Sequence, residues 1–292
     1  MTIKPSPKDT LLHLTDIHFW EVVRNPLLLL NKRLLGNFNV WLRRRHEFAI
    51  ARAEPFADTL AGMGIEQVLI TGDFTSTATE RECAMGAAFV RGLEARGLSV
   101  RLFAGNHDVY TFESVRKRRF ERHYGQWLSK GGLPAAGRLA GGTPLVMVPT
   151  VCPNVVSSKG RITDAEAREV GELVASCSGP MIVSGHYPVL FETAGYHSKP
   201  SRRLRNAGAL REAMGTANQR ILYVAGHEHR FSYTQDGAYS ELSHLTTGAF
   251  LRNAAESDSQ GEFSEIRVYD NGFKVLRWVY RGEWTCVEAS VS

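Results

Sequence analysis

Cysteine is scarce in this chain. Its four residues, Cys83, Cys152, Cys177 and Cys286, include no pair at the short spacing of a metal knuckle. That excludes a disulfide scaffold and a thiolate metal site, and it fits reduced thiols in a cytoplasmic compartment. Long apolar runs are missing as well. No uninterrupted stretch approaches the roughly 20 residues that a membrane span requires, and the opening Met-Thr-Ile-Lys-Pro-Ser-Pro-Lys lacks the apolar core of a signal peptide. The expected location is therefore cytoplasmic, either free or peripheral on the inner face of the membrane. Charge of one sign is in small excess, +5 net. This balance suits an anionic substrate, an acidic membrane surface or nucleic acid, and does not choose among them. With 43% hydrophobic and 22% charged residues, the 292-residue chain is not expected to be disordered and can bury a large core.

What is present is a series of short apolar runs that each end in polar residues. Leu11–Thr15 leads into Asp16-Ile17-His18, and Gln67–Thr71 into Gly72-Asp73. Val100–Ala104 leads into Gly105-Asn106-His107-Asp108, Met181–Ser184 into Gly185-His186, and Ile221–Ala225 into Gly226-His227-Glu228-His229. Such runs read as strands buried on both faces. Helical patterns, such as Glu80 to Arg96 and Asp164 to Ser176, fall between them, which is the α/β signature. Sites in such sheets form at the carboxyl ends of strands, so five distant segments can converge. From about Tyr233 the pattern changes to short alternating strands, Ser243–Thr247, Phe263–Tyr269 and Phe273–Tyr280. Asp270-Asn271-Gly272 is a turn signal between the last two. These are expected to form the antiparallel part of a second sheet packed on the first. The chain reads as one domain over 1–292 with an insertion at about 19–46.

Two divalent ions bound side by side need a bridging carboxylate surrounded by imidazoles and oxygen donors. Such a pair, about 3.5–4 Å apart, suits in-line displacement at phosphorus. Asp16, His18, Asp73, Asn106, His186, His227 and His229 have that composition. Mn, Fe and Zn accept such mixed ligands, Mn²⁺ being the first choice. Taken singly, each residue has a blander reading: a core histidine, a helix N-cap at Asp73, a turn former at Asn106. Those readings would have to hold independently at five strand ends in order.

D-x-H, G-D, G-N-H-D, G-H and G-H-x-H, in this order over about residues 10–232, resemble the calcineurin-like metallophosphoesterase superfamily. The resemblance implies a two-sheet α/β/β/α sandwich flanked by helices. It implies one metal on Asp16, His18, Asp73 and His229, and a second on Asp73, Asn106, His186 and His227, with Asp73 as the bridge. It further implies that His107 contacts the scissile phosphate and assists the leaving oxygen, with Asp108 orienting that imidazole.

The insertion carries the expectations about substrate. Asn25-Pro26 can start a helix. On a wheel, Leu27, Leu28, Leu30, Leu34, Leu35, Phe38, Trp41 and Leu42 share one face, opposite Lys32, Arg33, Gly36 and Asn39. Leu34, Phe38 and Trp41, followed by Arg43, Arg44 and Arg45, describe a lipid- or membrane-facing element; the alternative is an amphipathic helix packed on the core. Arg119, in the cluster after His107, and Arg202 and Arg203, in the cluster after His186, are expected to grip substrate phosphate, with His197 as a further contact. The Asn-Lys-Arg-Leu-Leu-Gly stretch and its arginine run are similar to LpxG-type UDP-2,3-diacylglucosamine pyrophosphatases of lipid A synthesis. That likeness implies hydrolysis by metal-activated hydroxide at the α-phosphorus, yielding UMP and diacylglucosamine 1-phosphate. LpxH-type enzymes instead have Gly-Asn-Arg-Asp where this chain has Gly105-Asn106-His107-Asp108. The competing readings are a soluble cyclic-nucleotide or glycerophosphodiester phosphodiesterase, a nuclease, and a non-catalytic scaffold. No specific nucleic-acid module is visible.

Overall fold

The computed structural model describes residues 6–23, 33–154, 157–193, 196, 200–217 and 219–291. Two six-stranded sheets dominate. The first runs, edge to edge, through Trp284–Ala289, Gly272–Tyr280, Glu262–Tyr269, Asp9–Leu14, Gln67–Ile70 and Ser99–Leu102. The second runs through Ser232–Gln235, Leu242–Thr246, Ile221–Ala225, Met181–Ser184, Pro144–Met147 and Ala135–Arg138.

Alternation along each strand sorts side chains between layers. Leu11, Leu69, Ile182, Leu222, Val224, Leu245 and Ile266 fill the space between the sheets. Leu12, Leu14, Val68 and Ile70 face the other way, onto the helices Ala53–Gly62 and Glu80–Ala95. Met181, Val183, Ile221 and Tyr223 likewise face Asp164–Ala175 and Ala207–Gly215. The result is the expected α/β/β/α sandwich. Reciprocal capping boxes start three of the described helices, Thr79 with Glu82, Thr111 with Ser114 and Thr163 with Glu166.

The allocation of strands differs from the sequence reading. Glu262–Tyr269 pairs antiparallel with Asp9–Leu14 and so extends the first sheet, as does the hairpin partner Gly272–Tyr280. The second sheet is instead built on Met181–Ser184 and Ile221–Ala225, with Leu242–Thr246 parallel to the latter. Short polar-flanked runs carry no label for which sheet they join; long-range pairing decides it. Of the five ligand-bearing strand ends, three lie on one sheet and two on the other.

The described part of the insertion is helical over Arg33–Asn39, passes through a wider π turn at Val40–Arg44, and ends with Arg45–Glu47. Arg33, Gly36 and Val40 are buried, whereas Leu34, Phe38, Trp41 and Leu42 are 57%, 61%, 47% and 48% exposed. The face of Arg33, Gly36 and Val40 therefore turns inward and that of Leu34, Phe38, Trp41 and Leu42 outward, although Asn39, placed with the polar face, is exposed. This is the reverse of a helix packed on a core through its apolar stripe. Arg33 pins this arrangement: it donates to Thr77 O (3.0 Å), Ala78 O (3.1 Å), Thr111 Oγ1 (3.2 Å) and Glu113 Oε2 (2.9 Å). Residues 25–32, including Leu27, Leu28 and Leu30, lie outside the described residues. Among the described residues, no helix is long and apolar enough to cross a membrane.

Candidate metal centre

Sharp turns at the strand ends bring the expected ligands together. Asp16, His18, Asp73, His227 and His229 all have positive φ, between 52° and 71°, a conformation that L-residues visit only when the surroundings enforce it. Asp16 N donates to Gly72 O (3.1 Å) and His18 N to Asp73 O (2.9 Å), which fixes the first two turns against each other. Gly105 passes so close to Asp73 that a Cβ there would overlap the Asp73 backbone and carboxylate. A side chain is excluded at that point whatever its chemistry.

Asp16, His18, Asp73 and His229 each aim one ligand atom into a common space, all within 4.8 Å of one another. Asp73 Oδ2 lies 3.5 Å from His18 Nε2 and 3.5 Å from His186 Nε2, so it stands between two subsites. On the far side Asn106 Oδ1 is 3.0 Å from His186 Nε2 and 2.9 Å from His227 Nδ1. All seven side chains called from the sequence thus converge.

Proton placement favours metal binding. A carbonyl only accepts, so the ring nitrogen against it must carry the proton. His18 Nδ1 donates to Thr75 O (3.0 Å), His186 Nδ1 to Thr71 O (2.8 Å), and His227 Nε2 to Arg202 O (3.0 Å). Each imidazole is left with its other nitrogen turned inward, the orienting device usual for metal-bound histidine. Burial, reinforced by neighbouring cations, keeps His18 and His227 well below the ordinary histidine range, so both are neutral donors. Burial would push the Asp16 carboxyl up, but His229 and the nearby His186 and His227 hold it below the usual carboxylate range. Burial pulls His186 down, yet Asp73 and Asp16 carry it up to about 9, so an ion bound there would take the place of the proton on Nε2. Asp16 Oδ2 accepts from Thr15 Oγ1 and from His227 N, both at 2.9 Å, while its buried Oδ1 accepts no hydrogen bond and faces His229 Nε2 at 3.3 Å. A buried carboxylate oxygen without a hydrogen bond, set among imidazoles, fits a cation.

His107 stands at the edge of this centre. Its backbone N donates to Asp73 Oδ1 (2.7 Å) and its Nδ1 to Ser76 O (2.7 Å); Tyr110 stacks on its ring at 5.3 Å. Asp108, however, does not take the role expected of it. Its carboxylate accepts from Gly105 N (2.8 Å), Phe74 N (3.2 Å), Thr75 N (2.9 Å) and Thr75 Oγ1 (2.9 Å). It clamps the two ligand loops to each other instead of orienting the imidazole. Burial, with Asp73 nearby, pushes its carboxyl up to about 7 against those hydrogen bonds.

The expected substrate arginines part company. Arg119 is buried and spent: it donates to Ala78 O (2.6 Å) and pairs with Glu80 (2.9 Å) and Glu113 (2.8 Å), which makes it structural. Arg203 stacks over Phe191 (4.5 Å) and reaches Tyr196 O (3.4 Å). Arg202 lines a cavity of about 170 Å³ with Arg44, Phe48, His229 and Arg252. His197 lies outside the described residues.

The arginine run of the insertion also divides. Arg43 is exposed and pairs with Glu47 (3.1 Å), and Arg45 sits over the Trp41 ring (5.4 Å). Arg44, expected at a membrane, instead points into the centre. Its Nη2 donates to His107 Nε2 (2.9 Å) and its Nη1 lies 3.1 Å from His18 Nδ1. Composition alone does not single out Arg44, because a run of three arginines gives each the same chemistry. The signal that separates them is helical spacing: Arg44 falls on the face of the buried Arg33 and Val40.

A family model described as calcineurin-like phosphoesterase matches residues 10–231. The chain belongs to the calcineurin-like phosphoesterases. It is accordingly a metal-dependent phosphoesterase with the family's two-sheet sandwich. No curated protein sequence matches it. Among solved structures it resembles a dimetal phosphatase from Danio rerio, with TM-score 0.65 and 12% identity over 98% of this chain and 100% of that one. It also resembles the purple acid phosphatase PPD1 of yellow lupin (Lupinus luteus) seeds, with TM-score 0.62 and 10% identity, covering 97% of this chain and 54% of that one. At these identities the likeness establishes the fold alone.

Proposed function

We propose that this calcineurin-like phosphoesterase hydrolyses a phosphodiester or pyrophosphate bond in a lipid-linked substrate, UDP-2,3-diacylglucosamine being the first choice, with UMP and diacylglucosamine 1-phosphate as products. The observation that carries the lipid reading is the outward apolar face of the insertion, Leu34, Phe38, Trp41 and Leu42, on the helix whose inner face delivers Arg44 to the metal centre. Exposed large apolar side chains in a cluster mark an interaction surface. With Arg43 and Arg45 beside them they suit an anionic membrane, where acyl chains and a charged headgroup meet.

The proposed ligands are Asp16, His18, Asp73 and His229 for one divalent ion, and Asp73, Asn106, His186 and His227 for the other. Two ions so held, Mn²⁺ for preference, would supply an activated water and draw charge from the phosphate oxygens. His107 faces the phosphate and steadies charge growing on the leaving oxygen. Arg202 offers its guanidinium to the substrate's second anionic group from across the cavity.

A panel hydrolysis assay in Mn²⁺ tests the reading, comparing UDP-2,3-diacylglucosamine with cyclic AMP, a glycerophosphodiester and single-stranded DNA. The nucleotide lipid should be turned over fastest, with UMP released. Preference for a soluble diester would replace the lipid reading with a phosphodiesterase one.

A further inference from the structure

Two arginines of the insertion turn inward, and only one of them meets a carboxylate. Arg33 is paired with Glu113 at 2.9 Å, as the buried Arg119 is paired with Glu80 and Glu113. Arg44 is partly buried too, yet it forms no ion pair among the described residues; its neighbours are His107, His18 and the Ser76 carbonyl. A guanidinium carries five N–H donors. The ring nitrogen of His107 takes one, and Ser76 O is a long 3.5 Å from Nη1. His18 Nδ1 gives its own proton to Thr75 O, so its 3.1 Å approach to Nη1 sets two donors side by side and satisfies neither on the other. The group is therefore a fixed cation with idle donors at the rim of the proposed metal centre. Exposed arginines in the same cavity, such as Arg43 with Glu47 and Arg230 with Glu256, do have acidic partners.

We propose that Arg44 is a catalytic residue that clamps the oxygens of the phosphoryl group under attack. In the structure Arg44 caps His107 Nε2. A phosphate arriving between them would accept from both Nη atoms and displace Arg44 from His107 Nε2, which can then take a proton from solvent and donate it to the leaving oxygen. The planar fork matches two phosphate oxygens at once, which a lysine cannot do. The helix carrying Arg44 also carries the outward apolar face, so the clamp is seated by the same element that we assign to lipid. This inference rests on the metal-centre reading of the proposed function and is independent of the lipid reading.

The test uses Arg44→Gln, Arg44→Lys and Arg44→Ala in the full chain with Mn²⁺, bis(4-nitrophenyl) phosphate as a soluble diester, and inorganic phosphate as inhibitor. All three should retain the wild-type metal content. Arg44→Gln should lose roughly 10- to 100-fold in kcat/KM and weaken phosphate inhibition by about tenfold, the scale of one charge-assisted pair. Arg44→Lys should recover only part of this, and millimolar guanidinium chloride should restore part of the Arg44→Ala rate. Turnover and phosphate inhibition within twofold of wild type would overturn the assignment. So would a loss of metal that accounts for the lost rate, which would make Arg44 a support for His18. If wild type hydrolyses no substrate of the panel, the functional reading has failed by itself. Calorimetric titration of phosphate into wild type and Arg44→Gln then still reads the clamp, equal affinities overturning it.

Discussion

Asp73 divides its two oxygens between two tasks. Oδ1 accepts from the His107 backbone at 2.7 Å, and Oδ2 stands 3.5 Å from both His18 and His186. That the seven expected ligands converge was legible in the sequence, from chemical type and strand-end position. Residues whose role depends on a distant partner were not. Asp108 and His107 are adjacent in sequence, yet the Asp108 carboxylate is taken by the Phe74–Thr75 turn. Arg119 looked available until Glu80 and Glu113 closed on it. The same distinction gives a prediction for His107, which touches the centre without contributing an inward ligand atom to it. His107→Ala should keep its metals and lose roughly 10²- to 10⁴-fold in turnover, the range of a general acid. Metal analysis alongside steady-state rates checks this, and a lost ion would make His107 a ligand instead.

At the scale of elements, the insertion helix is the part whose meaning depended most on the structure. Its amphipathic pattern was visible, but a wheel does not say which face points inward. The answer comes from Arg33, whose four acceptors belong to the loop at 77–78 and the turn at 111–113. These draw the Arg33 side of the helix inward and leave Leu34, Phe38 and Trp41 in the open. Changing those three to Ser should cost little stability, within about 0.5 kcal/mol each for surface positions. The same change should remove roughly 1.5–3 kcal/mol per side chain from a lipid contact. The variant is expected to melt near the wild-type temperature and hydrolyse a soluble diester normally, but to lose vesicle binding in a flotation assay. Unfolding or aggregation would show that this face packs against protein. Arg33→Met works from the other side: Glu113 keeps Lys117 and Arg119 as partners, but the buried Thr77 carbonyl loses its donor, which should destabilise the fold by roughly 1–3 kcal/mol. Urea unfolding measures it, and a change below about 1 kcal/mol would deny Arg33 its pinning role.

Over the whole molecule, the centre is a joint between the sheets. Asp16, His18, Asp73 and Asn106 follow strands of the first sheet; His186, His227 and His229 follow strands of the second. The strands themselves were readable as apolar runs bounded by turns. Their assignment to sheets was not, because pairings such as Asp9 with Val268 join residues from opposite ends of the chain. Ions bound across the joint add to stability by mass action, about 2.7 kcal/mol per site at a hundred times Kd. Metal analysis during titration of the chelated protein with Mn²⁺, with turnover followed in parallel, tests the account most directly. Wild type should take up two equivalents per chain and gain most of its activity with the second. Asp73→Ala, lacking the shared carboxylate, should bind fewer than two and fall by more than the roughly 10- to 100-fold typical of losing a mere supporting residue. Two retained equivalents and near-normal turnover in Asp73→Ala, or a wild type equally active with one ion, would contradict the bridged centre.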